Sequence, residues 1–173
     1  MSAPTPADLD AVSAQLGRPA RGVVAVAART LDGEPAVVTT APRLDDGTPF
    51  PTTYYLSHPL LVAAMSRLEA AGRMRALGAL LEQDPALAEA YRAAHGSYLA
   101  DRDAIAVVPE LAGVSAGGMP TRVKCLHALA AHALARGPGV NPIGDLALAE
   151  AAEAEPPVAA AIGRWVPPPR SVG

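Results

Sequence analysis

Four helical patterns along the chain open with a residue whose side chain can cap, followed at once or after one position by a proline: Thr5-Pro6, Ser57-His58-Pro59, Asp84-Pro85 and Asn141-Pro142. Proline lacks the N–H that a helix interior needs, yet it suits the first helical turn, whose N–H groups have no intrahelical partner. Each of these sites therefore sets a helix start, and together they cut the chain into several short helices. Behind Thr5-Pro6, Ala7, Leu9, Val12 and Leu16 recur at helical spacing until Gly17. Behind Pro59 the stripe is Leu60, Leu61, Ala64, Met65 and Leu68, ending at Gly72. Met74 to Gln83 reads as a further helical piece, and Asp84-Pro85 opens another that runs to about Asp103. Pro120 to Arg136 reads as a helix closed by Gly137-Pro138-Gly139, and Asn141-Pro142 caps a shorter one carrying Leu146 and Leu148.

Strands are fewer. Gly22 to Arg29 is rich in valine and meets a turn at Leu31-Asp32-Gly33-Glu34 before Pro35 to Thr40, which predicts a hairpin. Thr52 to Leu56 is β-branched and aromatic enough for a third strand. Ile105 to Val108 reads either as a strand or as the approach to the loop around Ser115-Ala116-Gly117-Gly118. With 39 alanines, one Trp and one Phe, the core has few large side chains to work with, so closely packed helices must supply it. The expectation is an α+β fold: a small antiparallel sheet, N-terminal hairpin plus third strand, packed against several α-helices. One domain spans 1–155, and a Pro-rich C-terminal tail with an extended Pro167-Pro168-Pro169 spans 156–173.

A net charge of −3 carries no basic surplus, which argues against a general nucleic-acid or anionic-membrane binder. A single cysteine, Cys125, makes no internal disulfide and suits a cytoplasmic protein. No 18 apolar residues run together, and the N-terminus lacks a basic region followed by an apolar stretch, so neither a membrane span nor a signal peptide is expected.

On a wheel at about 100° per residue, the Pro120–Arg136 segment places Val123, Leu126, Leu129, Ala130, Ala133 and Leu134 on one arc. Cys125, His132 and Arg136 then share one flank, with His127 on the other. Cys125 and His127 fall about 200° apart, and Cys125 and His132 about 10 Å apart in rise, so this helix makes no metal site unaided. Rim histidines and a structural cysteine, with no cofactor, are what this arrangement predicts; His58, Cys125 and His127 are the only candidate metal ligands. The start of the segment is more suggestive. Gly117, Gly118 and Thr121 lead into Arg122 and Lys124, so a flexible glycine pair, unpaired N–H groups and two cations converge where an anion binds well. The bland alternative is a loop whose cations reach water or pair with Asp101 or Asp103.

Three stretches carry a resemblance: Pro42 to Leu56 (PRLDDGTPFPTTYYL), Ser66 to Ala70 (SRLEA), and Gly118 to His127 (GMPTRVKCLH) continuing through Ala131-His132 and Gly137 to Pro142. Together they are similar to the actinobacterial domain-of-unknown-function family 501, over about Leu9 to Glu150. The resemblance implies no particular reaction, since that family has none established. It implies a gene neighbourhood shared with a septum-formation protein and an exopolyphosphatase. Many members carry Cys-x-Cys-Gly at the hairpin turn and Cys-Pro after the third strand, which with the helix-motif cysteine implies a metal or cluster. This chain has Arg29-Thr30-Leu31-Asp32-Gly33 and Ser57-His58-Pro59 there, so the implied ligand set shrinks to His58, Cys125 and His127, and a site of thiolates is lost or has changed its metal.

Two functional readings follow. In the first, a small anionic ligand, phosphate or carboxylate, is held by Gly117, Gly118, Thr121, Arg122 and Lys124 beside Tyr55. If it is a substrate, the chemistry is phosphoryl or acyl transfer, with His127 as acid/base, Cys125 nearby and Arg122 as clamp. In the second, the chain is a non-enzymatic module for a protein partner in envelope growth or division, presenting the acidic run Asp145, Glu150, Glu153 and Glu155 next to its Pro-rich tail.

Overall fold

The computed structural model describes residues 1–169. Helix α1 spans Pro6–Leu16, and the strands are β1 (Val23–Arg29), β2 (Pro35–Thr40) and β3 (Tyr54–Leu56). Six helices follow: α2 (Pro59–Ala70), α3 (Arg73–Gln83), α4 (Pro85–Ile105), α5 (Leu126–Arg136), α6 (Pro142–Ala154) and α7 (Pro156–Ile162). A 3-10 turn at Pro109–Leu111 interrupts the link between α4 and α5. This is the expected helix-rich α+β fold with a small antiparallel sheet.

The capping chemistry works as the sequence predicts at three of the four starts. Thr5 and Asp8 form a reciprocal capping box on α1. Asp84 accepts from the Leu87 N–H at 3.0 Å, and Asn141 from the Gly144 N–H at 2.9 Å. At α2 the cap position falls to His58, not Ser57, and no side chain bonds there.

The sheet runs β1-β2-β3, with Val38 opposite Tyr55 and Thr39 opposite Tyr54. Central β2 is buried along its whole length, packed by both α1 and α5. Helix α5 is the hub: Leu126, Leu129, Ala130, Ala131 and Ala133 are all fully buried, against β3, α2 and α6. Alanine makes this possible by letting backbones approach. At Gly144 the approach of α6 is so close that an added Cβ would sit 2.1 Å from the Leu129 carbonyl oxygen.

One local expectation is corrected. The Pro120–Arg136 segment is not one helix; α5 begins only at Leu126. In the six residues before it the backbone folds back on the glycines, the Arg122 N–H donating to Gly118 O at 2.9 Å and the Lys124 N–H to Gly117 O at 2.7 Å. Both glycines have positive φ, and a Cβ would meet Leu129 at Gly117 and the Arg122 carbonyl at Gly118, so glycine is needed at both. Of the two readings of Ile105 to Val108, the structure has the approach to the loop: the end of α4 and an extended link. The ordered fold also continues past residue 155: α7 buries Val158 completely, and the Trp165 indole N–H donates to Asp145 at 2.9 Å. Pro167 to Pro169 carry no helix or strand, and the final residues of the expected tail, 170–173, lie outside the described residues.

Candidate functional site

Because α5 starts late, Cys125 is its N-cap residue, in extended conformation (φ −154°, ψ 109°). The wheel that separated Cys125 from His127 therefore does not apply, and the cysteine Sγ lies 4.0 Å from His127 Nδ1. A third group joins them. Glu69, in the last turn of α2, accepts the Leu126 N–H at 2.7 Å, and the same oxygen, Oε1, lies 3.1 Å from His127 Nδ1. The first N–H of α5 thus already faces a carboxylate, the arrangement a helix N-terminus favours. On the far side of the ring, His127 Nε2 sits 3.1 Å from the Val62 carbonyl oxygen and 3.1 Å from Ser66 Oγ. Val62, Ser66 and Glu69 are spaced four and three apart, so one face of α2 supplies every α2 contact to this histidine.

The three groups tune one another. Contact with Cys125, reinforced by Glu69 and opposed by burial, raises the His127 pKa to about 9. The same contact holds the Cys125 thiol below its ordinary value, against burial and the Glu69 charge.

Cys125 and His127 form part of the wall of a mostly apolar cleft of about 580 Å³. The end of α1 (Gln15, Leu16), strand β3 (Tyr54, Tyr55, Leu56) and the start of α2 close the other sides. Leu16 and Tyr55 also border a second chamber of about 220 Å³, so the two are neighbours across a shared wall. That chamber carries Arg18 and Arg21 beside Leu44 and Phe50. Neither arginine has a carboxylate within ion-pair distance among the described residues. Gln15 donates to the Pro35 carbonyl at 2.9 Å, while its buried Oε1 lacks a hydrogen-bond partner among the described residues.

Of the residues singled out from the sequence, the structure brings Tyr55, Cys125 and His127 together at this cleft. Gly117, Gly118, Thr121, Arg122 and Lys124 lie in the loop before α5 and do not line it. Arg122 and Lys124 are exposed, and neither pairs with Asp101 or Asp103, which contact Arg136 and Arg102 instead. His58 stands apart, its Nε2 3.1 Å from Glu34. With Thr30 bonded to Asp32 at the hairpin and His58 held by Glu34, the hairpin and strand-end positions do not suit a thiolate cluster. Within the acidic run Glu153 is exposed, and the other three carboxylates have partners. Asp145 is buried, accepting from Gly139 and Trp165, while Glu150 and Glu155 pair with Arg73 and Arg67.

Sequence reasoning missed Glu69, Arg18 and Arg21. Glu69 had a readable signal: an acid in the last turn of a helix opposes that helix's dipole unless something else holds it.

Comparison with known proteins gives one family. The model described as "Protein of unknown function (DUF501)" matches residues 26–149. No curated protein and no solved structure matches the chain.

Proposed function

The chain belongs to the DUF501 family, and from that premise we propose that this protein binds a small amphipathic anion, with an apolar body in the larger cleft and a carboxylate or phosphate group at Arg18 and Arg21. The observation that carries this reading is the pair of adjoining chambers that share Leu16 and Tyr55, one apolar and one cationic. The larger lies within the usual range for small-molecule sites, roughly 300–1,000 Å³. Arginine is well suited to carboxylate and phosphate oxygens, which its planar fork meets with two parallel hydrogen bonds.

The loop Gly117 to Lys124 is the competing anion site, since its two cations are exposed. Two of its N–H groups are already spent on Gly117 and Gly118 carbonyls, which leaves it the poorer cradle.

Thermal shift with decanoate, octyl phosphate, acetate and inorganic phosphate tests the proposal. A ligand at a hundred times its Kd adds about 2.7 kcal/mol, a rise in Tm of roughly 5–10 °C for a chain of this size. The expected result is a shift with decanoate or octyl phosphate that acetate and phosphate do not produce, abolished in Arg18→Ala/Arg21→Ala and kept in Arg122→Ala/Lys124→Ala. A shift with phosphate alone that vanishes in the second variant overturns the reading and moves the site to the loop. No shift with any probe also overturns it and turns attention to a protein partner.

A further inference from the structure

We propose that Glu69, Cys125 and His127 hold one divalent cation of zinc type, with a coordination position open to the cleft. The inference rests on the side-chain cluster and stands independently of which anion the cleft takes.

The first support is size. One ligand atom from each residue, a carboxylate oxygen, Sγ and a ring nitrogen, lies within 4.8 Å of the other two. Zinc binds oxygen and nitrogen at about 2.0–2.2 Å and sulfur at about 2.3 Å, so tetrahedral geometry sets ligand-to-ligand edges of about 3.3 Å for N···O and about 3.6 Å for N···S. The observed Nδ1···Oε1 separation is 3.1 Å and Nδ1···Sγ is 4.0 Å. Closing the latter takes a few tenths of an ångström at a side chain that caps a helix.

The second support is proton bookkeeping on His127. The Val62 carbonyl can only accept, so Nε2 at 3.1 Å carries a hydrogen, and the neutral ring then presents the Nδ1 lone pair to Glu69 and Cys125. A carboxylate, a sulfur and a nitrogen lone pair turned toward one point need a positive centre among them. Either a proton on Nδ1 or a metal ion provides it. A histidine that donates its other N–H to a backbone carbonyl is the usual form of a metal ligand, because that bond fixes tautomer and ring orientation.

The third support is the donor set and its exposure. One thiolate, one imidazole and one carboxylate suit zinc and its first-row neighbours and disfavour magnesium or calcium, which take oxygen. Cys125 and His127 both border the cleft, so a fourth position faces it, as in sites where zinc meets water or substrate. This is a different set from the one implied by family resemblance: Glu69 enters, and His58, turned to Glu34, is not part of the cluster.

The test uses the full chain, with any affinity tag removed and chelator-treated, titrated with cobalt(II) and then zinc. The expected result is one equivalent of cobalt bound with a near-ultraviolet thiolate-to-metal absorption and tetrahedral visible bands, both bleached by zinc. Cys125→Ser abolishes the thiolate band while leaving the Glu69 contact to Leu126 intact, so its folding is not in question. Glu69→Gln and His127→Gln each weaken cobalt affinity by about ten- to a hundred-fold or more. Absence of the thiolate band in the wild type, or a band unchanged in all three variants, overturns the proposal and leaves a protonated imidazole beside a thiolate. Arg18→Ala/Arg21→Ala, which removes the proposed anion contacts, leaves the cobalt spectrum unchanged, so failure of one reading is separable from failure of the other.

Discussion

Helix α5 carries two histidines five residues apart, and they live in opposite environments. His127, in the first turn, is half-buried among a thiol, a carboxylate and a carbonyl, and its pKa is raised to about 9. His132, one turn and a half further on, is fully buried, stacked on Tyr54 at 5.5 Å and edge-on to Tyr98 at 5.1 Å, and burial, aided by Arg136, lowers it to about 4. The helix dipole alone predicts the reverse order, since a cation is disfavoured at a helix N-terminus. Local partners outweigh it: the two groups beside His127 bring negative charge within 4 Å, whereas the Asn141 amide donates to His132 Nδ1 at 3.2 Å and Nε2 has no partner among the described residues. The same residue type is therefore pushed in opposite directions at the start and in the middle of one helix, and its neighbours decide which.

Both environments depend on α5 being held in place, and Gly144 of α6 pins it at Leu129, between the two histidines. Gly144→Ala places a methyl group 2.1 Å from a backbone oxygen, which no side-chain rotation relieves. The expected cost is about 3 kcal/mol or more, with a fall in Tm of roughly 10 °C by calorimetry. A loss below about 1 kcal/mol means that α6 can shift without disturbing the hub.

The next effect isolates His132. Its folded pKa lies below its unfolded value, so between about 6.5 and 4 the unfolded chain binds more protons and stability falls as the solution is acidified. The gap corresponds to about 3 kcal/mol between pH 7 and pH 4. Urea unfolding across that range, compared with His132→Phe, should show the wild-type slope flatten in the variant. Asp145 works in the opposite direction, because burial raises its pKa and favours the protonated form in the folded state. Equal slopes in the two proteins would sink the assignment of the pH dependence to His132.

What was legible in the sequence was local. Thr5, Asp84 and Asn141 act on N–H groups three residues away, so the starts of α1, α4 and α6 could be read directly. The hairpin followed from its glycine turn, and the motif holding Cys125 and His127 falls on the wall of the cleft. The start of α5 was not legible, because a helical period continues through Pro120 to Cys125 while the deciding contacts are a backbone fold onto Gly117 and Gly118 and the fit of Leu129 against Gly117. Once that start was misplaced, the wheel put Cys125 and His127 on opposite flanks. Glu69 was hidden for a related reason: it lies 57 residues from the N–H it accepts, and only tertiary packing of α2 on α5 brings them together.

The smallest effect tests the other end of the comparison. In metal-free protein, Glu69→Ala removes the acceptor of the Leu126 N–H, an unpaired donor at the start of α5. Loss of a cap of this kind costs about 1–2 kcal/mol, less than either of the two preceding effects. The Glu69 and His127 side chains are partly exposed, so water can follow the shortened side chain to the freed N–H, away from the fully buried Leu129 and His132. Chemical denaturation of the chelator-treated variant measures it. A loss as large as that from Gly144→Ala would mean that Glu69 holds α2 to α5 as a structural tie and that the first turn is as rigidly packed as the middle. A loss confined to about 1 kcal/mol leaves the first turn as the adaptable end of an otherwise fixed helix, where a ligand or an ion can be accommodated without repacking the hub.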